Sequence, residues 1–224
     1  MTTLLPRSTR SYDVDHHLLP SCDWLEAQEV GHLAPTVRRN ESATVRECAR
    51  AAIVALGGEV APIGIAADGS PIWPPGYCGS MSHTAGYYAA AVGSTTSSLT
   101  LGIDAEANRS LPPDVLRLIA DEEEWHAVTG LMAARPRVAW DRLLFSAKEA
   151  FFKAWYPITH EWLEFRDCQV TLDSVSRTFI ASYSGERSRW PAVSQVEGRW
   201  RAVTIGTNSY IVTAIHVSTA GVVS

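Results

Sequence analysis

The chain has 224 residues, with 19 Lys and Arg against 24 Asp and Glu, so its formal net charge is -5. Hydrophobic residues make up 46% and charged residues 19%, a balance that excludes a collagen, a disordered tail and a nucleic-acid binder working through a basic surplus. At roughly 150 residues per domain the length fits one large domain or two small ones, enough to bury a core without staples.

The four cysteines, Cys22, Cys48, Cys78 and Cys168, show no C-x-x-C pair and no histidine at metal-ligand spacing. Reduced thiols in a cytoplasmic protein are therefore expected, without a disulfide framework or structural zinc. Arg7, Arg10, Asp13 and Asp15 interrupt the N-terminus, which lacks the apolar run of a signal peptide. The longest uncharged stretch, 69–103, is rich in Gly, Pro, Ser and Thr, unlike the roughly 20 apolar residues of a membrane span.

In chain order, the first 30 residues carry no clear period. Residues 36–56 predict a helix, opened after Pro35 and stopped by Gly57-Gly58. A turn-rich loop covers 69–76, followed by strands over 77–92 and 98–106. Residues 111–135 read as a Pro-started, acidic helical connection. Residues 139–156 form the strongest helical pattern, with Pro157 as its expected end. Strands then return at 169–172, 178–183, 196–203 and 209–217, the last two joined by a hairpin loop at 206–208. This order predicts an α+β (α/β) chain of two similar halves, 1–105 and 106–224.

Four groups of residues could carry chemistry. On a strand, Leu99, Leu101, Ile103 and Ala105 share one face, so Asp104 and Glu106 project together from the other, with Gly102 leaving space beside them. Two carboxylates so close repel unless a cation or proton intervenes, and hard oxygen ligands suit Mg²⁺ or Mn²⁺. The alternative is a solvated strand end. On the 139–156 helix, Trp140, Leu143, Leu144, Ala147, Ala150, Phe151, Ala154 and Trp155 make one wide apolar face. Asp141, Phe145, Glu149, Phe152 and Lys153 lie opposite, with Lys148 at the border. Aromatic rings among charges suggest a partly buried cleft, with an ordinary surface ion pair of Glu149 and Lys153 as the alternative.

The third group is Gly79-Ser80-Met81-Ser82-His83. It lacks the G-x-S-x-G of a nucleophile elbow, and Ser82 and His83 point to opposite faces. Hydrogen bonding to phosphate and a structural role both stay open. The fourth is Arg38, Arg39, Arg46 and Arg50, whose guanidinium forks suit phosphate oxygens but equally make a solvated helix face.

Taken together, these residues resemble the 4′-phosphopantetheinyl transferases, above all the monomeric surfactin-type (Sfp-like) branch. The resemblance is carried by Arg38-Arg39-Asn40-Glu41, Val45-Arg46, Trp73-Pro74, Gly79-Ser80-Met81-Ser82-His83, Gly102-Ile103-Asp104-Ala105-Glu106 and the run from Phe145 through Lys148-Glu149-Ala150 to Lys153 and Trp155. It implies two α/β halves related by a pseudo-twofold, with coenzyme A in the cleft between them. It also implies Mg²⁺ held by Asp104, Glu106 and Glu149. Lys148 and Lys153 would face the phosphates, Ser82 and His83 the coenzyme, and Arg38 and Arg46 its 3′-phosphate. Glu149, Lys153 and Lys148 would be the catalytic residues. The partners implied are apo acyl carrier and peptidyl carrier proteins of fatty-acid, polyketide and nonribosomal-peptide synthesis, with no nucleic acid and no membrane. A metal-dependent phosphohydrolase and a non-catalytic coenzyme A-binding module are the competing readings. One departure is Ser70, where many relatives carry a lysine before the proline. The 111–125 segment, with Val115, Leu116 and Leu118, is the expected apolar contact for a carrier-protein helix.

Overall fold

The computed structural model describes residues 4–15, 29, 36–185 and 195–221. Helix α1 (Thr36–Ala55) forms where expected, and Cys48, Ala49, Ala52 and Ile53 bury its apolar stripe against Ala90 and Val92. These belong to an antiparallel three-stranded sheet ordered β1 (Thr9–Val14), β5 (Tyr87–Ser94), β4 (Tyr77–Thr84). The alanine-rich β5 lets α1 approach closely. Strand β1 has no legible period because it sits at a sheet edge, where the backbone ladder to β5 from Thr9↔Gly93 to Val14↔Tyr88 orders it. A separate two-stranded ribbon pairs β2 (Gly64–Ile65) with β3 (Pro71–Ile72), the second lying inside the 69–76 segment read as loop.

The second half is a five-stranded antiparallel sheet ordered β6 (Ser98–Ala107), β10 (Asn208–Ser218), β9 (Gln195–Ile205), β8 (Thr178–Tyr183), β7 (Cys168–Asp173). The sheets change over in the turn at 95–97, and β6, which carries residue 105, lies wholly in the second. A Gly206-Thr207 turn with Gly206 at φ 58 closes the last hairpin, Asn208 pairing with Ile205. The acidic connection splits into α2 (Val115–Ile119) and α3 (Glu122–Ala134), the second started by an Asp121–Glu124 capping box. Leu116 is in the core, whereas Leu118 is exposed, which corrects Leu116 as a partner contact.

Helix α4 (Trp140–Thr159) packs on this sheet through the apolar face read from the sequence. Each large side chain so buried contributes about 1.5–3 kcal/mol. The helix continues through Pro157, correcting the expected stop. Proline forfeits one helical N–H bond, while buried Trp155 and Thr159 hold the last turn in place. Termination comes at His160, φ 54, whose N–H donates to Tyr156 O.

What brings α4 to the carboxylate strand is Gly102. A Cβ there would lie 1.9 Å from Ala150 O and 2.9 Å from Ala154 N, so the absent side chain makes room for the helix backbone. It does not merely clear space beside the carboxylates. Thr100 Oγ1 donates to Ala154 O at 2.9 Å from the same strand face. Thr100, Gly102, Asp104 and Glu106 therefore all look toward α4.

Candidate active site

The two halves meet where β4 lies beside β6. Ser80 Oγ accepts from Ile103 N–H at 3.0 Å and Ser82 Oγ from Ala105 N–H at 3.2 Å, so alternate serines satisfy alternate amides of β6. Ser82 Oγ also donates to Asp104 Oδ1 at 2.9 Å, and Lys153 Nζ reaches the same oxygen at 2.7 Å. Strand alternation directs Ser82 at the carboxylate and turns His83 outward, where Nε2 lies 3.3 Å from Glu41 Oε2. Ser82 thus orients Asp104, whereas its neighbours Met81 and His83 line the main cavity.

Asp104 is buried, and its second oxygen, Oδ2, has no hydrogen-bond partner among the described residues. An orphaned carboxylate oxygen beside two further carboxylates fits a cation better than it fits a purely structural role. Glu106 follows two residues on, its Oε2 3.2 Å from Arg142 Nη1. Burial first, and Asp104 second, push the Glu106 carboxyl up to about 7, against the pull of Arg142 and Lys153. Burial also raises Glu149 on α4, opposed by Lys153. Among the described residues, no three His, Cys, Asp or Glu side chains are placed so that together they would hold a metal ion. The donors of Asp104, Glu106 and Glu149 are hard oxygens, of the kind a cation such as Mg²⁺ takes while keeping waters and sharing its shell with substrate phosphates.

Lys148 does not join them. Its ammonium, almost wholly buried, donates to Ile119 O at 2.7 Å, Glu124 Oε2 at 2.8 Å and Phe165 O at 2.8 Å. Three donors meet three acceptors, which corrects its expected place among the phosphate contacts and catalytic residues. Glu124, unnoticed in the sequence, also accepts from Val170 N–H through Oε1; its only local signal was its place in the capping box. Lys148→Met leaves Glu124 buried without its cation, at a cost of about 3–5 kcal/mol. The melting temperature should fall by roughly 6–20 °C, and Lys148→Met/Glu124→Gln should recover much of the loss. An unchanged melting curve for Lys148→Met would instead place the lysine in the cleft.

Lys153, half-buried, lies on the wall of a cavity of about 850 Å³ between α1, β4 and α4, a volume in the range of small-molecule sites. Glu41, Arg46, His83, Phe152 and Trp162 also line it. A second cavity of about 160 Å³ adjoins it across Phe152 and Trp162 and is bordered by Glu149. Arg46 is buried rather than solvated, with Nε donating to Ile63 O at 2.9 Å and Nη1 to Ser42. Arg50 is buried too, in ion pairs with Glu29 and Glu47. The Arg38 side chain lies outside the described residues, as does Cys22. Cys48, Cys78 and Cys168 are free thiols.

The cavity is lined by Arg46 of the first half and Lys153 of the second, together with the carboxylates Glu41 and Asp68. Comparison with known proteins gives the family. The family model described as the 4′-phosphopantetheinyl transferase N-terminal domain matches residues 26–93, and that of the 4′-phosphopantetheinyl transferase superfamily matches 100–215. The chain is 44% identical over 197 residues to the 4′-phosphopantetheinyl transferase Svp of Streptomyces mobaraensis, covering 85% of this chain and 78% of that one. It is 40% identical over 169 residues to PptT of Mycobacterium tuberculosis, covering 73% and 74%. With Npt of Nocardia iowensis it shares 38% over 178 residues, 76% of each chain. The chain belongs to the 4′-phosphopantetheinyl transferase superfamily, and it is an enzyme of that transferase class.

Proposed function

We propose that the chain transfers the 4′-phosphopantetheine group from coenzyme A to a serine hydroxyl of an apo carrier protein, in the surfactin-type manner, releasing 3′,5′-ADP. The observation that carries this reading is the orphaned Asp104 Oδ2 beside Lys153, at the edge of a nucleotide-sized cavity. The nucleotide would occupy the 850 Å³ cavity and the pantetheine arm would run past Phe152 and Trp162 into the smaller one.

In the reaction the bond between the two pyrophosphate phosphorus centres' bridging oxygen and the transferred phosphoryl breaks, and a serine Oγ–P bond forms. Asp104, Glu106 and Glu149 would hold Mg²⁺ or Mn²⁺, which when bound stabilises charge on the transferring and leaving phosphates. Glu149, whose basicity burial raises, takes the serine proton directly or through a water it orients. Lys153 moves from Asp104 toward the leaving phosphate oxygens. Ser82 keeps Asp104 oriented meanwhile. His83 and Arg46 approach the coenzyme from the first half, with Arg38 as a further cation toward the 3′-phosphate. The division of labour follows the halves: the first binds the nucleotide and the second carries the carboxylates and α4.

The partners would be acyl and peptidyl carrier proteins, met by a monomer in the cytoplasm. No described helix is long and apolar enough to cross a membrane. Incubation with Mg²⁺, coenzyme A and a panel of apo carrier proteins, read by intact mass, tests the reading. Mass gain equal to phosphopantetheine on the serine is expected, and steady release of 3′,5′-ADP without a carrier would favour the phosphohydrolase instead. Arg46→Ala tests the 3′-phosphate contact. Hydrogen bonds to charged groups are worth about 1.5–3 kcal/mol, so kcat/KM with coenzyme A should fall roughly 10- to 100-fold. Dephospho-coenzyme A, which lacks that phosphate, should be turned over almost as before. The ratio between the two substrates is the readout, because Arg46 also anchors Ile63.

A further inference from the structure

The ribbon formed by β2 and β3 belongs to neither main sheet. Two-stranded ribbons are marginal alone, so this one needs anchors. Its root has them: Ile63 N–H donates to Glu29 Oε1 at 2.8 Å, and Ile63 O accepts from Arg46. Its tip is a tight turn, with Ala66 N–H donating to Ser70 O and Gly69 N–H, at φ 86, to Ala66 O, each at 2.9 Å. Asp68 Oδ1 accepts from Ser70 N–H at 2.9 Å and from Ser70 Oγ at 2.6 Å. The other carboxylate oxygen, Oδ2, accepts from the Tyr156 hydroxyl at 2.8 Å. That bond runs from the first half to α4 of the second. Ile65, Asp68, Ser70, Tyr156 and Trp162 all line the 850 Å³ cavity, so this exposed bond links two of its walls.

We propose that the Asp68–Tyr156 hydrogen bond is a clasp that holds the 64–72 arm closed over the cavity and retains coenzyme A inside it. Asp68 and Tyr156 are then positioning residues for the donor substrate, an inference that rests on the reading of the cavity as the coenzyme site. The clasped cavity already has a volume suited to a nucleotide-sized ligand, so the bond can persist with the ligand in place. Ser70 takes part in this device: its hydroxyl and amide fix the carboxylate that Tyr156 grips. The same Ser70 bonds, with the Tyr156 hydroxyl after them, hold the Asp68 carboxyl down to about 2, so the acceptor stays ionised at any working pH.

The test uses the full chain, coenzyme A and Mg²⁺, with calorimetric Kd and steady-state kinetics for Tyr156→Phe, Asp68→Ala and the pair combined. One exposed hydrogen bond corresponds to a rise of about 2- to 10-fold in Kd and in KM for coenzyme A. The change should fall on KM rather than kcat, with the melting temperature unmoved. The double variant should be no weaker than either single one, because both remove the same contact. Unchanged Kd in both single variants would overturn the clasp, as would additive effects. Tighter binding by Asp68→Ala would also overturn it, showing that the carboxylate merely repels the coenzyme's phosphates. Wild-type protein that fails to bind coenzyme A at all would remove the coenzyme reading and the clasp together, which separates that failure from the others.

Discussion

Asp104→Asn is expected to lower transfer by at least about 10²–10³-fold, the loss typical when one preorganised electrostatic group is removed from a reacting site. The substitution keeps shape and an acceptor for Ser82 and Lys153 but removes the charge beside the orphaned Oδ2. Metal-free protein should nevertheless melt at about the same temperature, because the lost repulsion of Glu106 offsets the weakened pairing with Lys153. Glu106 reports this directly. Its carboxyl, at about 7 when folded, sits above its ordinary value of 4.5. Native protein therefore holds more protons than unfolded chain between those limits. The associated stability is fully present below about 4.5 and is lost as pH rises through about 7. Melting of the metal-free wild type should show this downward trend, and Asp104→Asn should weaken it without abolishing it, because burial is the larger cause. Retained activity would remove Asp104 from the site, and a large loss of melting temperature would make it structural.

Gly102→Ala is expected to damage fold and activity together. The added Cβ would meet backbone on α4, 1.9 Å from Ala150 O, where no side-chain rotation relieves the contact. Overpacking of this kind costs about 1–3 kcal/mol, and more when backbone must retreat. At roughly 2–4 °C per kcal/mol, a fall of about 6 °C or more in melting temperature is expected. Because α4 carries Glu149 and Lys153, a retreat of about 1 Å should also lower kcat by about 10²-fold in the protein that remains folded. Gly130→Ala is the control: nothing lies within 4 Å of its Cβ, and alanine in a helix interior should stabilise by about 0.5–1 kcal/mol. Equal behaviour of the two variants would mean that β6 and α4 do not depend on the close approach at Gly102.

The helices and strands, and the residue types able to hold a cation and phosphates, were legible from periodicity and motif. The apolar face of α4 is a local property, since a 3.6-residue repeat states which side must be covered. So is the common direction of Asp104 and Glu106, which follows from strand alternation. Family motifs added the expectation that Glu149 and Lys153 would stand opposite them, and the packing of β6 on α4 brings Lys153 to Asp104. The edge strand β1 was not legible, because its order comes from pairing with β5 rather than from its own side chains.

What the local sequence could not decide was the partner of each polar group. Lys148 sits next to Glu149 in a charged motif, yet a helix turns about 100° per residue, and that turn hands its ammonium to Glu124, Ile119 and Phe165. That Ser82 meets Asp104 became visible only when β4 was laid beside β6. Arg46 and Arg50 read either as phosphate contacts or as a solvated face, and only packing showed Ile63 and Glu29 covering them. Ser70 read as a loss until its hydroxyl met Asp68, and Asp68 met Tyr156 88 residues away. Periodicity specifies which groups face inward or outward along one element. The groups that satisfy buried charges and hydroxyls lie on other elements, at sequence separations that no local pattern encodes, so only tertiary packing selects them.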